Sequence, residues 1–257
     1  MKFKIDINCD LGESYGAFKI GNDEKVMPHI TSANIACGFH AGDPVTIAHT
    51  AGLEKKYHVA IGAHPGYPDV LGFGRREIQL TSEEIRDYTI YQISALHGFA
   101  STIGTSLQHV KLHGALYNSA AKDEETSIAV VEAVQALNPN LIIFAPPKSV
   151  LANIADKAGL RVAYEFFADR AYNPDGSLVS RRRSDALIQE KRKVVERVIK
   201  VVKEQRVIAI NGYAIDIGQI HTICVHGDTS NAVELTETLK RELTKADIEV
   251  TPVENFL

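Results

Sequence analysis

Seven short β-type stretches alternate with helical stretches along this chain, and that rhythm restricts the fold more than any single motif does. Segments rich in Ile, Val and small residues lie near 3–9, 31–37, 58–63, 108–113, 141–145, 161–167 and 222–227, each too short to be read as a buried helix. Repeated strand-helix units build a parallel sheet with right-handed crossovers. The expected class is therefore α/β. Seven strands, several ending in polar groups, favour a closed (β/α) barrel over an open sheet. A length of 257 residues is normal for one such barrel, so a single domain over 1–257 is expected.

The intervening segments carry helix punctuation. "DPVTIAHTAGLEKKY" opens with Asp43 as N-cap and Pro44 in the first turn, where a missing donor is harmless. "TSEEIRDYTIYQISALHGFASTIG" sets Thr81 three residues before Glu84, a capping box, and ends at Gly104. "DEETSIAVVEAVQAL", "SVLANIADKAG", "SDALIQEKRKVVERVIKVVKEQ" and "SNAVELTETLKRELTKA" read as further helices. In "VIAINGYAIDIGQI" the Asn211-Gly212 pair predicts a small antiparallel hairpin before the last strand.

Composition narrows the partners. A net charge of -4 without a clustered basic face argues against nucleic acid. "MKFKIDIN" lacks an apolar signal core and no run reaches the roughly 18 apolar residues of a membrane span. The expectation is a cytoplasmic protein with a small ligand and no membrane partner. Cys9, Cys37 and Cys224 have neither disulfide nor metal-knuckle spacing and read as reduced, packed thiols.

The strand ends carry the chemistry. "KFKIDINCDLGE" delivers Asp6, Asn8, Asp10 and Glu13; "ITSANIACGFHAGD" delivers Asn34, His40 and Asp43; "HVAIGAHPGYPD" delivers His64 and Asp69. "HVKLHGALYN" delivers Lys111 and His113, and "ICVHGDT" delivers His226 and Asp228. Barrels place catalytic groups at such ends. Asp6, Asn8 and Asp10 share a face by the period of two, with Asp6 the structural acid and Asp10, nearer the mouth, the functional one. Of ten histidines, His29, His49, His58, His97, His109 and His221 read as structural, while His40, His64, His113 and His226 lie at or past strand ends. With Asp10 these form either a metal site, for which Asp10, His40 and His64 are the candidate ligands, or a metal-free proton-transfer group.

Lys111, on one strand face with His113, must either pair with an acid such as Asp6 or Glu165 or hold an anionic substrate oxygen, because a lone buried ammonium is costly. Glu165 and Arg170 flank the sixth strand's end, and Arg75 sits on the glycine-flanked loop "LGFGRRE". The candidate catalytic set is Asp10, His40, His64, Lys111, His113, Glu165 and His226; the candidate substrate contacts are Asn8, Arg75, Arg170 and Asp228. As groups at an open mouth, Asp10 and His64 are expected to support little of the core. No GxxxxGK[ST] or GxGxxG loop occurs in the sequence.

"DINCDLGESYGAF", "ITSANIACGFHAGDP", "GAHPGYPDVLGFGRRE", "VKLHGALYN", "FFADRAY", "LVSRR" and "TICVHGDT" together resemble the signature blocks of the LamB/YcsF family, from Asp6 to Thr229. The resemblance implies a seven-stranded barrel similar to those of glycoside hydrolases and polysaccharide deacetylases. It also implies a cytoplasmic ATP-dependent enzyme, shared with two other 5-oxoprolinase subunits, that opens the lactam 5-oxo-L-proline to L-glutamate with ATP as cosubstrate. Two other readings stay open: a divalent-metal-dependent amide hydrolase of deacetylase type, and a non-catalytic lactam-binding subunit.

Overall fold

A computed structural model describes residues 3–228 and 231–257; Thr229, the last residue of the block "TICVHGDT", lies outside the described residues. Six parallel strands follow in order: β1 (Phe3–Leu11), β2 (Ser32–Ala36), β3 (Ala60–His64), β4 (His109–Lys111), β5 (Ile142–Ala145) and β6 (Val162–Phe167). The antiparallel hairpin of β7 (Arg206–Ile208) and β8 (Ala214–Asp216) comes next, with Gly212 at φ +85 in its turn. Then β9 (Thr222–Val225) pairs with both β6 and β1, Asp6 to Cys9 lying against Thr222 to Val225, and the ring of seven parallel strands closes. An eighth parallel strand, β10 (Ile248–Val250), pairs with Phe3–Ile5 of β1 beyond the ring. Three residues are too few to show a period, so the sequence did not announce it.

Helices α1 (Asp23–Val26), α2 (Pro44–Gly52), α3 (Glu54–Tyr57), α4 (Ser82–Thr102), α5 (Gly114–Ala120), α6 (Glu124–Leu137), α7 (Val150–Lys157), α8 (Lys191–Glu204) and α9 (Ala232–Lys245) fill the connections. Asp43 accepts from the backbone N–H groups of Val45 and Thr46, and Thr81 with Glu84 makes the expected capping box. Several boundaries differ from the sequence reading, and the single helix read in "DPVTIAHTAGLEKKY" is two, α2 and α3. Helix α8 begins at Lys191, where the buried series Val194, Val195, Val198, Val201 and Val202 starts, rather than near Ser184. Strand β4 stops at Lys111, and "GALYN" turns directly into α5. Gly114, at φ +53, brings the chain so close to Gly74 that a Cβ would lie 2.6 Å from its carbonyl oxygen. His113 therefore stands at the N-cap position of α5, past the end of β4, and its side chain makes no capping bond.

Strand alternation divides the interior. Ile5, Ile7, Cys9 and Leu11 of β1 join the large apolar cluster beneath the helices. The opposite face carries Asp6, Asn8 and Asp10, all buried inside the ring. A barrel lumen is ordinarily filled by branched apolar side chains; here a hydrogen-bonded polar column runs through it. Asp6, near the base, accepts from the hydroxyls of Thr31 (2.6 Å), Ser32 (2.7 Å) and Thr222. One level up, Asn8 donates to Glu165 (2.9 Å) and Thr222 (2.8 Å), while Asn34 donates to Asn8 and Asp10 (both 2.8 Å). The His109 ring stacks on Phe144 and binds Asn34 through Nε2 (2.8 Å). That ring occupies the space a Cβ on Gly62 would need, with atoms within 2.5 Å, so β3 requires glycine there. Ile142, Phe144, Ala163 and Val253 form a separate small apolar cluster, with Phe256 packed against it.

Burial raises the Asp6 carboxyl from 3.8 to about 6, outweighing its three hydroxyl donors. The folded chain thus holds this proton more tightly than the unfolded one, so Asp6 lowers stability as pH rises from about 4 to about 6. Two pKa units correspond to about 3 kcal/mol. Asp6→Asn is expected to remove that slope, read by chemical denaturation across the interval; an unchanged slope would mean that Asp6 titrates as an ordinary carboxylate.

Candidate active site at the barrel mouth

A cavity of about 1150 Å³ opens at the carboxyl ends of the strands. Asp10, His64, Lys111, His113, Glu165 and His226 line it, with Arg75, Arg170 and Asp228. Asn8 lies beneath it as the support of Glu165 and Lys111, and His40 lies behind its wall, stacked on His113 with ring centres 3.6 Å apart.

At the floor, the Lys111 ammonium donates to Asp10 Oδ1 (2.7 Å), and its Nζ lies 3.2 Å from Glu165 Oε1. Cys224 Sγ, at 3.0 Å, completes its surroundings, and the Phe167 ring centre is 5.3 Å away. The sequence leaves Asp6 and Glu165 as possible partners; the structure gives Lys111 to Asp10 and Glu165. Burial opposes the charge on Lys111, but Asp10, Cys224 and Glu165 hold its pKa well above the usual lysine value. Burial would likewise raise Asp10, yet His64 and Lys111 hold it well below the carboxylate range. The floor therefore carries a fixed ammonium and an ionised carboxylate at neutral pH. Tyr117 donates to the other Glu165 oxygen at 2.7 Å. Its place in α5 hides it from a reading of strand ends.

Beside this floor stands a histidine cluster. His64 ends β3, His113 follows β4, and His40 and Glu13 lie on the loops after β2 and β1. Ligand atoms of these four side chains all lie within 4.8 Å of one another, and all four residues are buried. Ligand atoms of Asp10, Cys224 and His226, also buried, likewise lie within 4.8 Å of one another. Asp10 Oδ2 is 3.5 Å from His64 Nε2, so two of the three metal candidates named from sequence are neighbours, but Asp10 stands outside the four. Glu13 is visible in "DLGE", yet the strand-end pattern favours Asp10 over it. The loops holding this cluster need their glycines: a Cβ on Gly74, at φ +61, would lie 2.7 Å from His40 Cβ, and one on Gly66 2.9 Å from His40 Nδ1.

On the other wall, Asp169 follows β6 and lies 3.1 Å from His226 Nδ1. Burial would raise Asp169, but His226 lowers it, so it stays ionised and orients the imidazole. At the rim, Arg75 pairs with Asp228 at 2.6 Å. Arg170 is buried, donates to the Val179 carbonyl at 2.6 Å, and keeps Nε without a hydrogen-bond partner among the described residues. Burial lowers its pKa to about 10.

The expectation that Asp10 and His64 support little of the core changes. Asp10 is 7% exposed and His64 1%, so neither is an open-mouth residue indifferent to stability.

The LamB/YcsF family model matches residues 5–257. Over 254 residues the chain is 51% identical to a 5-oxoprolinase subunit from Pyrococcus abyssi, covering 99% of each chain. It is 49% identical over 255 residues to a 5-oxoprolinase subunit from Campylobacter jejuni subsp. jejuni, covering 99% of this chain and 100% of that one. The crystal structure of the lactam utilization protein from Thermus thermophilus superposes with a TM-score of 0.91 at 42% identity, over 97% of this chain and 99% of that one. The catalytic domain of a peptidoglycan N-acetylglucosamine deacetylase from Eubacterium rectale shares the fold alone, with a TM-score of 0.53 at 10% identity, over 98% and 89%. The signature blocks, the seven-stranded ring and the match across 5–257 agree, and this chain belongs to the LamB/YcsF family.

Proposed function

We infer that the chain is the ring-opening subunit of an ATP-dependent 5-oxoprolinase, working with two partner subunits. The observation that supports this most is the mouth cavity, where a fixed ammonium, two carboxylates and a carboxylate-held histidine face one small-molecule space. The 5-oxoprolinase name of relatives near half identical supports the substrate.

A five-membered lactam is a stable amide. Transfer of the ATP γ-phosphoryl group to its oxygen makes the ring carbon electrophilic and releases ADP. One water then adds to that carbon, giving its proton to a base, and the C–N bond breaks as the ring nitrogen leaves as the amine, taking a proton. A second water hydrolyses the resulting acyl phosphate to L-glutamate and phosphate. His226, oriented by Asp169, is arranged as the base. Lys111, held by Asp10 and Glu165, offers a fixed positive charge to the negative phosphorylated oxygen and to the tetrahedral intermediate. Arg170 and the Arg75 rim suit the substrate carboxylate or a phosphoryl group. The sequence has no phosphate loop, so in this reading nucleotide binding falls to the partners.

Glutamate release from 5-oxoproline and ATP tests this. The isolated chain and the partner pair are each expected to show little turnover, and the three together full turnover. Full activity from either fraction alone would overturn the reading. A cation-dependent amide hydrolase of deacetylase type is the second reading, favoured by the histidine cluster. A bound cation would act there as a Lewis acid and lower the pKa of a water. Ring opening without ATP would favour it.

A further inference from the structure

We propose that Glu13, His40, His64 and His113 hold a divalent transition-metal ion beside the Asp10–Lys111 floor, with Asp10 outside its ligand set. The inference goes beyond the ring-opening reading, and its test does not depend on turnover.

The hydrogen bonds fix the histidine tautomers. His64 Nδ1 lies 2.8 Å from the Lys111 carbonyl oxygen, and His113 Nε2 lies 2.9 Å from that of Phe73. A carbonyl only accepts, so each of these nitrogens carries the hydrogen, and a neutral imidazole has one N–H. The two inner nitrogens, His64 Nε2 and His113 Nδ1, then both present lone pairs, and they are 2.9 Å apart. Lone pairs at that distance repel unless a positive species is shared between them.

That species is either a proton or a cation, and the rest of the cluster separates the two. Glu13 Oε1 and both ring nitrogens of His40 are buried without a hydrogen-bond partner among the described residues. Glu13 Oε1 lies 3.5 Å from His40 Nε2 and 3.6 Å from His113 Nδ1. These separations are long for hydrogen bonds and lie slightly above the edges, about 3.3–3.4 Å, of a tetrahedron with bonds of about 2.0–2.1 Å to a central ion. A proton between His64 and His113 would leave Glu13 and His40 unmet. One cation meets all four side chains together.

The outer contacts of His64 and His113 agree. Metal-bound histidines ordinarily donate their second N–H to a carbonyl or carboxylate, which fixes ring and tautomer; the Lys111 and Phe73 carbonyls stand in those places. Asp10, although 3.5 Å from His64 Nε2, is already engaged by Lys111 and Asn34. Three imidazoles and one carboxylate suit zinc or a neighbouring first-row ion and do not suit calcium or magnesium, which take oxygen ligands. Glu13, His64 and His113 also line the cavity, so an ion held there would face it.

The test uses the full chain, stripped with a chelator and titrated with Co(II), with zinc loading followed by elemental analysis. The expected results are d–d absorption that saturates at one ion per chain and a raised melting temperature. Glu13→Gln and His40→Ala, checked for folding by circular dichroism, should weaken binding by at least about tenfold, while Asp10→Asn should keep one ion per chain. Should those variants not fold, ¹⁵N-histidine spectra of the unmodified chain serve instead: zinc should shift the lone-pair nitrogens of His64 and His113. No saturable binding by the folded chain, binding lost in Asp10→Asn but retained in Glu13→Gln and His40→Ala, or spectra showing a proton shared by His64 and His113 that zinc does not displace would each overturn the proposal.

Discussion

Lys111→Met is expected to lower both stability and turnover more than any other single change at the mouth. The ammonium is 2% exposed between Asp10 and Glu165. Removing it leaves two buried carboxylates without their counter-charge, a loss of about 3–5 kcal/mol. For a chain of this size about 2–4 °C of melting temperature goes with each kcal/mol, so a fall of about 10 °C is expected. Thermal unfolding of the isolated chain reads this directly. Lys111→Met combined with Glu165→Gln should recover part of the lost stability, because one of the two stranded charges is then gone. Under the proposed ring-opening reading, turnover with the partner subunits should stay lost in both variants, since neither supplies the cation that Lys111 presents to the cavity. An unchanged melting temperature in the single variant would contradict the buried ion trio. Turnover within a few fold of the unmodified chain would remove Lys111 from the mechanism.

Asp10→Asn is the second. Asparagine keeps an oxygen for Asn34 and Lys111, now at 2.8 and 2.7 Å from Asp10 Oδ1, but takes away the charge. Lys111 then relies on Glu165, and the site loses the carboxylate that lies 3.5 Å from His64. Glutamate release should fall by about 10²–10³-fold, the scale of removing one preorganised electrostatic partner. The melting temperature should drop by several degrees, because this charge is buried and paired. His64→Asn should behave alike, since it surrenders the contact to the Lys111 carbonyl. The pH sense follows from the lowered Asp10 pKa: its contribution is present above the unfolded value of 3.8 and is lost as pH falls through the still lower folded value. Activity within a few fold of the unmodified chain would leave Asp10 as a structural support of Lys111.

The two experiments separate roles that the strand ends merge. Asp10, Lys111, His64 and Glu165 are all legible as candidates because each is an ionisable residue at or near the end of an apolar run, a local pattern. Their pairing is not legible, since Asp10 and Lys111 are 101 positions apart and meet only when the ring closes. The same holds for Asp169 with His226, 57 positions apart, and for Glu13 with the histidines. Tyr117 escapes a strand-end reading because it sits on a helix, while Glu13, delivered by the first run, is passed over for Asp10 three residues earlier.

By itself the sequence determined the α/β class, the seven strands, the hairpin at Asn211-Gly212, the caps at Asp43 and Thr81, and the family, all of them matters of periodicity, turn chemistry and contiguous motif. Tertiary structure alone decided that the barrel lumen is a polar column, that Asn8 and His40 stand off the cavity wall, that Asp10 and His64 are buried, and which ion pairs with which. The physical reason is range: backbone preference is set by near neighbours along the chain, whereas desolvation and charge pairing depend on groups that only the closed ring brings within a few ångströms.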